Sequence, residues 1–136
     1  MSPTQRSLAS YRKAGWLCAI VEKWNAHMRI RQDLWGFADI LVIRGNSTLL
    51  IQTTSGSNVS ARLTKLKALP AVRIWLESDN RRLVVHGWAK RGGKGKAKRW
   101  TCREIELTWV GDGFCERDTS EEIGMKTPAQ QGRLIA

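Results

Sequence analysis

The spacing of apolar and polar residues changes several times along the chain, and each change marks an element. Leu8, Tyr11 and Arg12 recur at helical spacing. Ser2 or Thr4 can cap a first turn that tolerates Pro3, and Gly15 stops the run. This predicts a helix over residues 4–13. Residues 16–24 then alternate, with Trp16, Cys18 and Ile20 on one face and Leu17, Ala19 and Val21 on the other. Apolar residues on both faces predict a central strand. A turn over 24–27 leads to a short return strand over 28–31.

Residues 36–43 and 48–54 form two more strands, joined at Arg44-Gly45-Asn46-Ser47, a hairpin turn sequence. Ser55-Gly56-Ser57-Asn58 breaks the second strand and can cap a helix. Val59, Leu63, Leu66 and Leu69 return to helical spacing until Pro70 interrupts, and a helix resumes over 71–77. Strands follow over 82–88 and 100–109. From Gly111 onward no periodicity is visible. The expected organisation is one domain over 1–110 and a flexible tail over 111–136. The order helix, strand, strand, strand, helix, strand, strand predicts an α/β (α+β) domain with a mixed central sheet.

Composition narrows the class. The chain has 136 residues, enough to bury a core, and 42% hydrophobic with 26% charged residues argues against disorder. Cys18, Cys102 and Cys115 include no close pair, so neither a disulfide framework nor a CxxC zinc site is expected. His27 and His86 are too few for a histidine metal cluster; His27 reads as a turn residue and His86 as a sheet residue with its polar atoms satisfied. No run approaches the roughly 18–20 apolar residues of a membrane span, and the N-terminal stretch lacks a signal-peptide core. The expected setting is the cytoplasm, without a membrane partner.

Charge changes the picture further. Lys and Arg number 23 against 12 Asp and Glu, a net charge of +11, which calls for a polyanionic partner. Between Arg81 and Arg103 there are nine basic residues and no acidic one. Lys90, Arg91, Lys94, Lys96, Lys98 and Arg99, set among glycines, predict a mobile hairpin tip that meets phosphates rather than base edges. Arg29 and Arg31 make a second basic patch. Trp88 and Trp100 flank the basic tip and can stack on bases. Trp16, Trp75 and Trp109 are expected to brace the core. An acidic protein partner is an alternative that charge alone does not remove.

Asp39 and Gln52 carry the candidate chemistry. Each sits where an apolar strand turns polar, and pairing across the hairpin turn sets them side by side. A carboxylate and an amide oxygen so placed suit a hard divalent cation, Mg2+ or Mn2+. Such an ion activates water and steadies the charge of phosphoryl transfer. Glu22 and Asp33 are the carboxylates available to complete the shell.

The stretch Gly36-Phe37-Ala38-Asp39-Ile40-Leu41-Val42-Ile43, followed by Leu49-Leu50-Ile51-Gln52-Thr53-Thr54, resembles the PD-(D/E)XK nuclease superfamily, in particular its Holliday-junction-resolvase-like members. In that family a metal-binding aspartate on one strand is followed by a turn, a strand ending in Glu-x-Lys, a helix and a further strand. The resemblance covers roughly residues 4–88. It implies a restriction-endonuclease-like αβββαβ core, here with an extra C-terminal strand, and a metal-dependent DNA endonuclease or resolvase-like phosphodiesterase of phage or repair biology in a bacterial or phage-infected cell. It implies Asp39 as metal ligand. Gln52 stands where the family has an acidic residue, and Thr54 where it has lysine. Lys65, or after it Arg62, is the candidate replacement on the following helix. DNA, whether duplex, branched or single-stranded, is the implied substrate, and resolvase-like members suggest a homodimer. The alternative is a nucleic-acid-binding protein on the same fold whose catalysis was lost with the Glu and Lys.

Overall fold

The computed structural model describes residues 1–125. Helix α1 spans Pro3–Lys13. Ser2 caps it, its hydroxyl accepting from the Gln5 N–H at 3.2 Å, and Gly15 leaves it at φ +91°. Strands β1 (Leu17–Ile20), β2 (Lys23–Asn25) and β3 (Ile30–Gln32) follow, then β4 (Ile40–Arg44) and β5 (Ser47–Ser55). A single 3-10 turn leads to α2 (Val59–Lys67), and Pro70 starts a separate α3 (Pro70–Trp75). Strands β6 (Arg81–Arg91), β7 (Arg99–Trp109) and β8 (Phe114–Asp118) complete the order.

Six strands form one mixed sheet in the order β1-β4-β5-β6-β7-β8, and β2-β3 is a separate small hairpin. Only β5 and β6 run parallel, across the α2–α3 crossover. Alternate residues divide the core in two. Leu50, Leu83, Val85, Ile105 and Leu107 pack with Val59, Leu63, Leu66 and Val72 on the α2–α3 face. Ile40, Val42, Leu49, Ile51 and Val84 pack with Leu8, Tyr11 and Trp16 on the α1 face. The result is an α+β sandwich around a mixed sheet.

Three sequence expectations need correction. The first strand is not central. β1 has four residues, pairs only with β4, and leaves Leu17 70% exposed. The ladder stops where the Val21 and Glu22 N–H groups both donate to the Asp39 carbonyl. Trp16 lies outside the strand, buried against Tyr11, with its indole N–H on the Gly124 carbonyl at 2.8 Å. The domain does not end at 110. β8 pairs along β7, and the Thr119 hydroxyl donates to the buried Glu104 carboxylate at 2.5 Å. Two strands therefore follow β6 rather than one. The rest of the expected tail, 126–136, lies outside the described residues. The basic tip is also shorter than expected, because β6–β7 pairing runs out to Arg91 opposite Arg99.

A buried polar network ties α1 to the far strands. His86 bridges the Ser7 hydroxyl and the Glu104 carboxylate, each at 2.7 Å, and all three residues are fully buried. The Tyr11 hydroxyl donates to Glu104 at 2.7 Å, and the Trp88 indole N–H donates to Ser7 at 2.8 Å. Ser–His–Glu contacts of this kind occur at nucleophilic sites, but here no solvent reaches them and they hold the sheet to the helix. No described helix is long and apolar enough to cross a membrane.

Candidate functional site

The site grows out of the β4–β5 hairpin. Ile40 pairs with Ile51, and the Asp39 N–H donates to the Ile51 carbonyl at 2.9 Å, which sets Asp39 beside Gln52. Asp39 is held at both ends of its backbone, since its carbonyl takes the Val21 N–H at 2.9 Å. One carboxylate oxygen, Oδ2, accepts from the Gln52 amide at 2.9 Å, the Thr53 N–H at 2.7 Å and the Thr53 hydroxyl at 3.1 Å. Thr53 is in turn bonded to the Thr4 hydroxyl at 2.8 Å, so the start of α1 buttresses the site.

Glu22 and Asp33 close on Asp39 from either side of the β2–β3 hairpin. Each of the three residues offers a carboxylate oxygen, and these lie within 4.8 Å of one another. Asp39 is 4% exposed. Burial, opposed by the Thr53 N–H and reinforced by Asp33 and Glu22, pushes its carboxyl up to about 8. The cluster thus holds a proton more tightly than an ordinary carboxylate would, and a bound cation would compete with that proton.

Gln52 presents nitrogen, not oxygen, to this cluster. Its amide donates to Asp33 at 3.3 Å as well as to Asp39, and its Oε1 is buried without a hydrogen-bond partner among the described residues. Rotating the amide by half a turn would exchange the two atoms. Thr54 is buried and contributes no charge.

A cavity of about 770 Å3 opens over the cluster. Glu22, Asp33, Asp39 and Gln52 line it, together with Arg31, Arg62 and Lys65. The structure thus brings Asp39, Gln52, Glu22, Asp33 and Lys65 to one place, and Arg62 joins them. Arg31 pairs with Glu22 at 3.4 Å at the rim. Arg29 lies in the β2–β3 turn, outside the cavity lining.

The basic hairpin projects from the same end of the sheet. Gln52 pairs with Val85, and Arg91 lies six residues further along β6, about 20 Å away at about 3.3 Å per residue. Lys90, Arg91, Lys94, Lys96, Lys98 and Arg99 are all exposed there. Of the two flanking tryptophans, Trp88 spends its N–H on Ser7, and Trp100 carries the Arg6 guanidinium 3.9 Å from its ring centre. The Arg6 guanidinium thus lies over one face of Trp100, which stays 43% exposed. Thr4 and Thr53 carry no sequence signal, since threonines recur throughout the chain. Trp35, which also lines the cavity, was equally silent.

No family model, curated protein or solved structure matches this chain.

Proposed function

We propose that the chain is a divalent-metal-dependent nuclease acting on DNA, built on the PD-(D/E)XK plan with Gln52 in place of an acidic residue. One observation carries this reading. Three carboxylates converge in a cavity lined by Arg62 and Lys65, at the end of the sheet from which the basic hairpin projects.

The donor set fits Mg2+ or Mn2+. Carboxylate oxygens are the hard ligands such ions take, and the orphaned Gln52 Oε1 is a further oxygen within one side-chain rotation. A bound ion would supply charge neutralisation and activation of water for phosphodiester hydrolysis. The remaining work belongs to the chain. Glu22, Asp33 and Asp39 would hold the ion. Lys65 and Arg62 would take the anionic charge that the family's lysine meets, since Thr54 cannot. The hairpin from Lys90 to Arg99 would hold the backbone of the DNA away from the cut.

A second reading has its own support. The Gln52 amide already donates to Asp33 and Asp39, so part of the role of an ion is filled by a side chain. That favours a catalytically degenerate nucleic-acid-binding protein. Labelled duplex, single-stranded and four-way-junction DNA, incubated with Mn2+, Mg2+ or chelator, separate the two. Metal-dependent cleavage that is lost in Asp39→Ala supports the nuclease. Binding without cleavage in either metal supports the binding protein.

A further inference from the structure

We infer that Trp35 is a stacking platform for an unpaired nucleobase next to the phosphate held at the acidic cluster. This rests on the proposed function and narrows it: the substrate is a strand with an unpaired base at the cut, as in a fork, flap or junction.

Trp35 is 58% exposed and stands two residues after Asp33. Its φ is +53°, a left-handed conformation that is a strained outlier for a bulky side chain. The turn that imposes it is well tied. The Gly36 N–H donates to the Asp33 carbonyl at 3.1 Å, and the Leu34 N–H to the Ala38 carbonyl at 2.9 Å. Glycine or asparagine would suit this position better for stability alone. A large, exposed indole on a strained backbone is a poor solution for packing and a good one for display.

What it displays toward decides the ligand. Trp35 lines the acidic cavity, and it also lines a separate apolar cavity with Ala71, Ile74, Trp75 and Arg81. Its ring lies 6.1 Å from Trp75 and 6.3 Å from Phe37, which support it. Cations stand on both sides: Arg62 and Lys65 toward the cluster, and toward the apolar shelf Arg81, which is exposed and whose guanidinium is held in place by the Trp75 and Ile74 carbonyls at 2.8 and 3.2 Å. A flat apolar group with an anion on each side matches this arrangement, and a nucleotide within a strand is such a group. A base inside a duplex is already stacked on its neighbours and cannot use the shelf.

The test is binding of three labelled probes with calcium present: a duplex, a fork with a single-stranded arm, and the same fork with abasic sites at its first unpaired positions. Trp35→Ala should weaken binding of the intact fork by about five- to 150-fold and leave the duplex unchanged. The abasic fork should bind the native protein as weakly as the intact fork binds the variant. Trp35→Phe should restore most of the affinity. Trp35→Gly removes the indole and relieves the backbone, so it should lose fork affinity while melting no lower than the native protein. The inference is overturned if DNA binds and Trp35→Ala affects fork and duplex equally, or neither. If the native protein binds and cleaves none of the probes, the proposed function falls and takes this inference with it. Asp39-dependent cleavage in a protein indifferent to Trp35 would remove only the inference.

Discussion

The Gln52 amide nitrogen sits 2.9 Å from Asp39 Oδ2, while its own oxygen is buried with no partner among the described residues. The amide thus takes the place a cation would take, at the cost of an unsatisfied acceptor. Gln52→Glu removes that donor and adds a fourth carboxylate. The metal-free variant should lose about 1–3 kcal/mol of stability, measured by urea melts, from repulsion and a lost hydrogen bond. Mg2+ or Mn2+ should more than recover it, and metal affinity by calorimetry should rise about tenfold or more. Unchanged affinity would place the ion, if any, away from Gln52.

Asp39 makes stability depend on pH in an unusual direction. Its carboxyl is pushed from 3.8 to about 8 on folding, chiefly by burial. The folded state therefore keeps a proton that the unfolded chain releases, and stability falls as pH rises from about 4 to about 8. Asp39→Asn should flatten that decline and be more stable than the native protein at pH 8 without metal, by a few kcal/mol on the order of magnitude. Metal should raise the native melting temperature at pH 8 and leave the variant's unchanged. A native protein with flat stability across this window would argue against a buried proton at the cluster.

How much of this was legible beforehand depends on the range of the contacts. The β4–β5 hairpin was readable because its turn and its apolar-to-polar changes lie within a few residues of each other, and that alone sets Asp39 beside Gln52. The position of β1 was not readable. Leu17 and Ile20 are apolar yet exposed at the sheet edge, so composition on both faces mimicked burial on both. β8 was missed because Phe114–Asp118 carries one aromatic among polar residues and pairs at an edge, where periodicity is weak. The gathering of Glu22 and Asp33 depends on how the β2–β3 hairpin folds back, which spacing does not encode.

Residues beyond 110 are part of the folded body, and their removal should show it. Truncation after Val110 deletes β8, the Gly124 acceptor of Trp16 and the Thr119 donor to Glu104. The truncated chain should lose at least about 3 kcal/mol in denaturant melts, since a buried carboxylate loses a donor and the sheet loses an edge. Gly124→Ala should be milder but clear, because its φ is +75° and a Cβ would lie 2.7 Å from that of Ala14. Near-native stability of the truncated protein would restore the shorter domain.

Salt dependence reports on the basic hairpin. Lys94, Lys96 and Lys98 are exposed in the connection between β6 and β7. If each meets one phosphate, replacing all three by Ala should make the slope of log K against log[salt] shallower by about 2.7 on duplex DNA. Melting temperature should hardly change, because these side chains pack against nothing buried. A slope that stays the same would move the DNA to another face.

The bonds from α1 to His86 and Glu104 span 79 and 93 residues. They give the molecule a particular order of assembly. The hairpin with Asp39 and Gln52 needs only nearby sequence, and Leu8 and Tyr11 of α1 can already pack on it, but the Ser7 and Tyr11 hydroxyls gain their buried partners only when β6 and β7 exist. On a ribosome, α1 would emerge first of these elements and be locked last. Until then α1 is held to the β4–β5 hairpin without its bonds to the far strands, so a half-made chain carries the carboxylates with a looser buttress on Asp39.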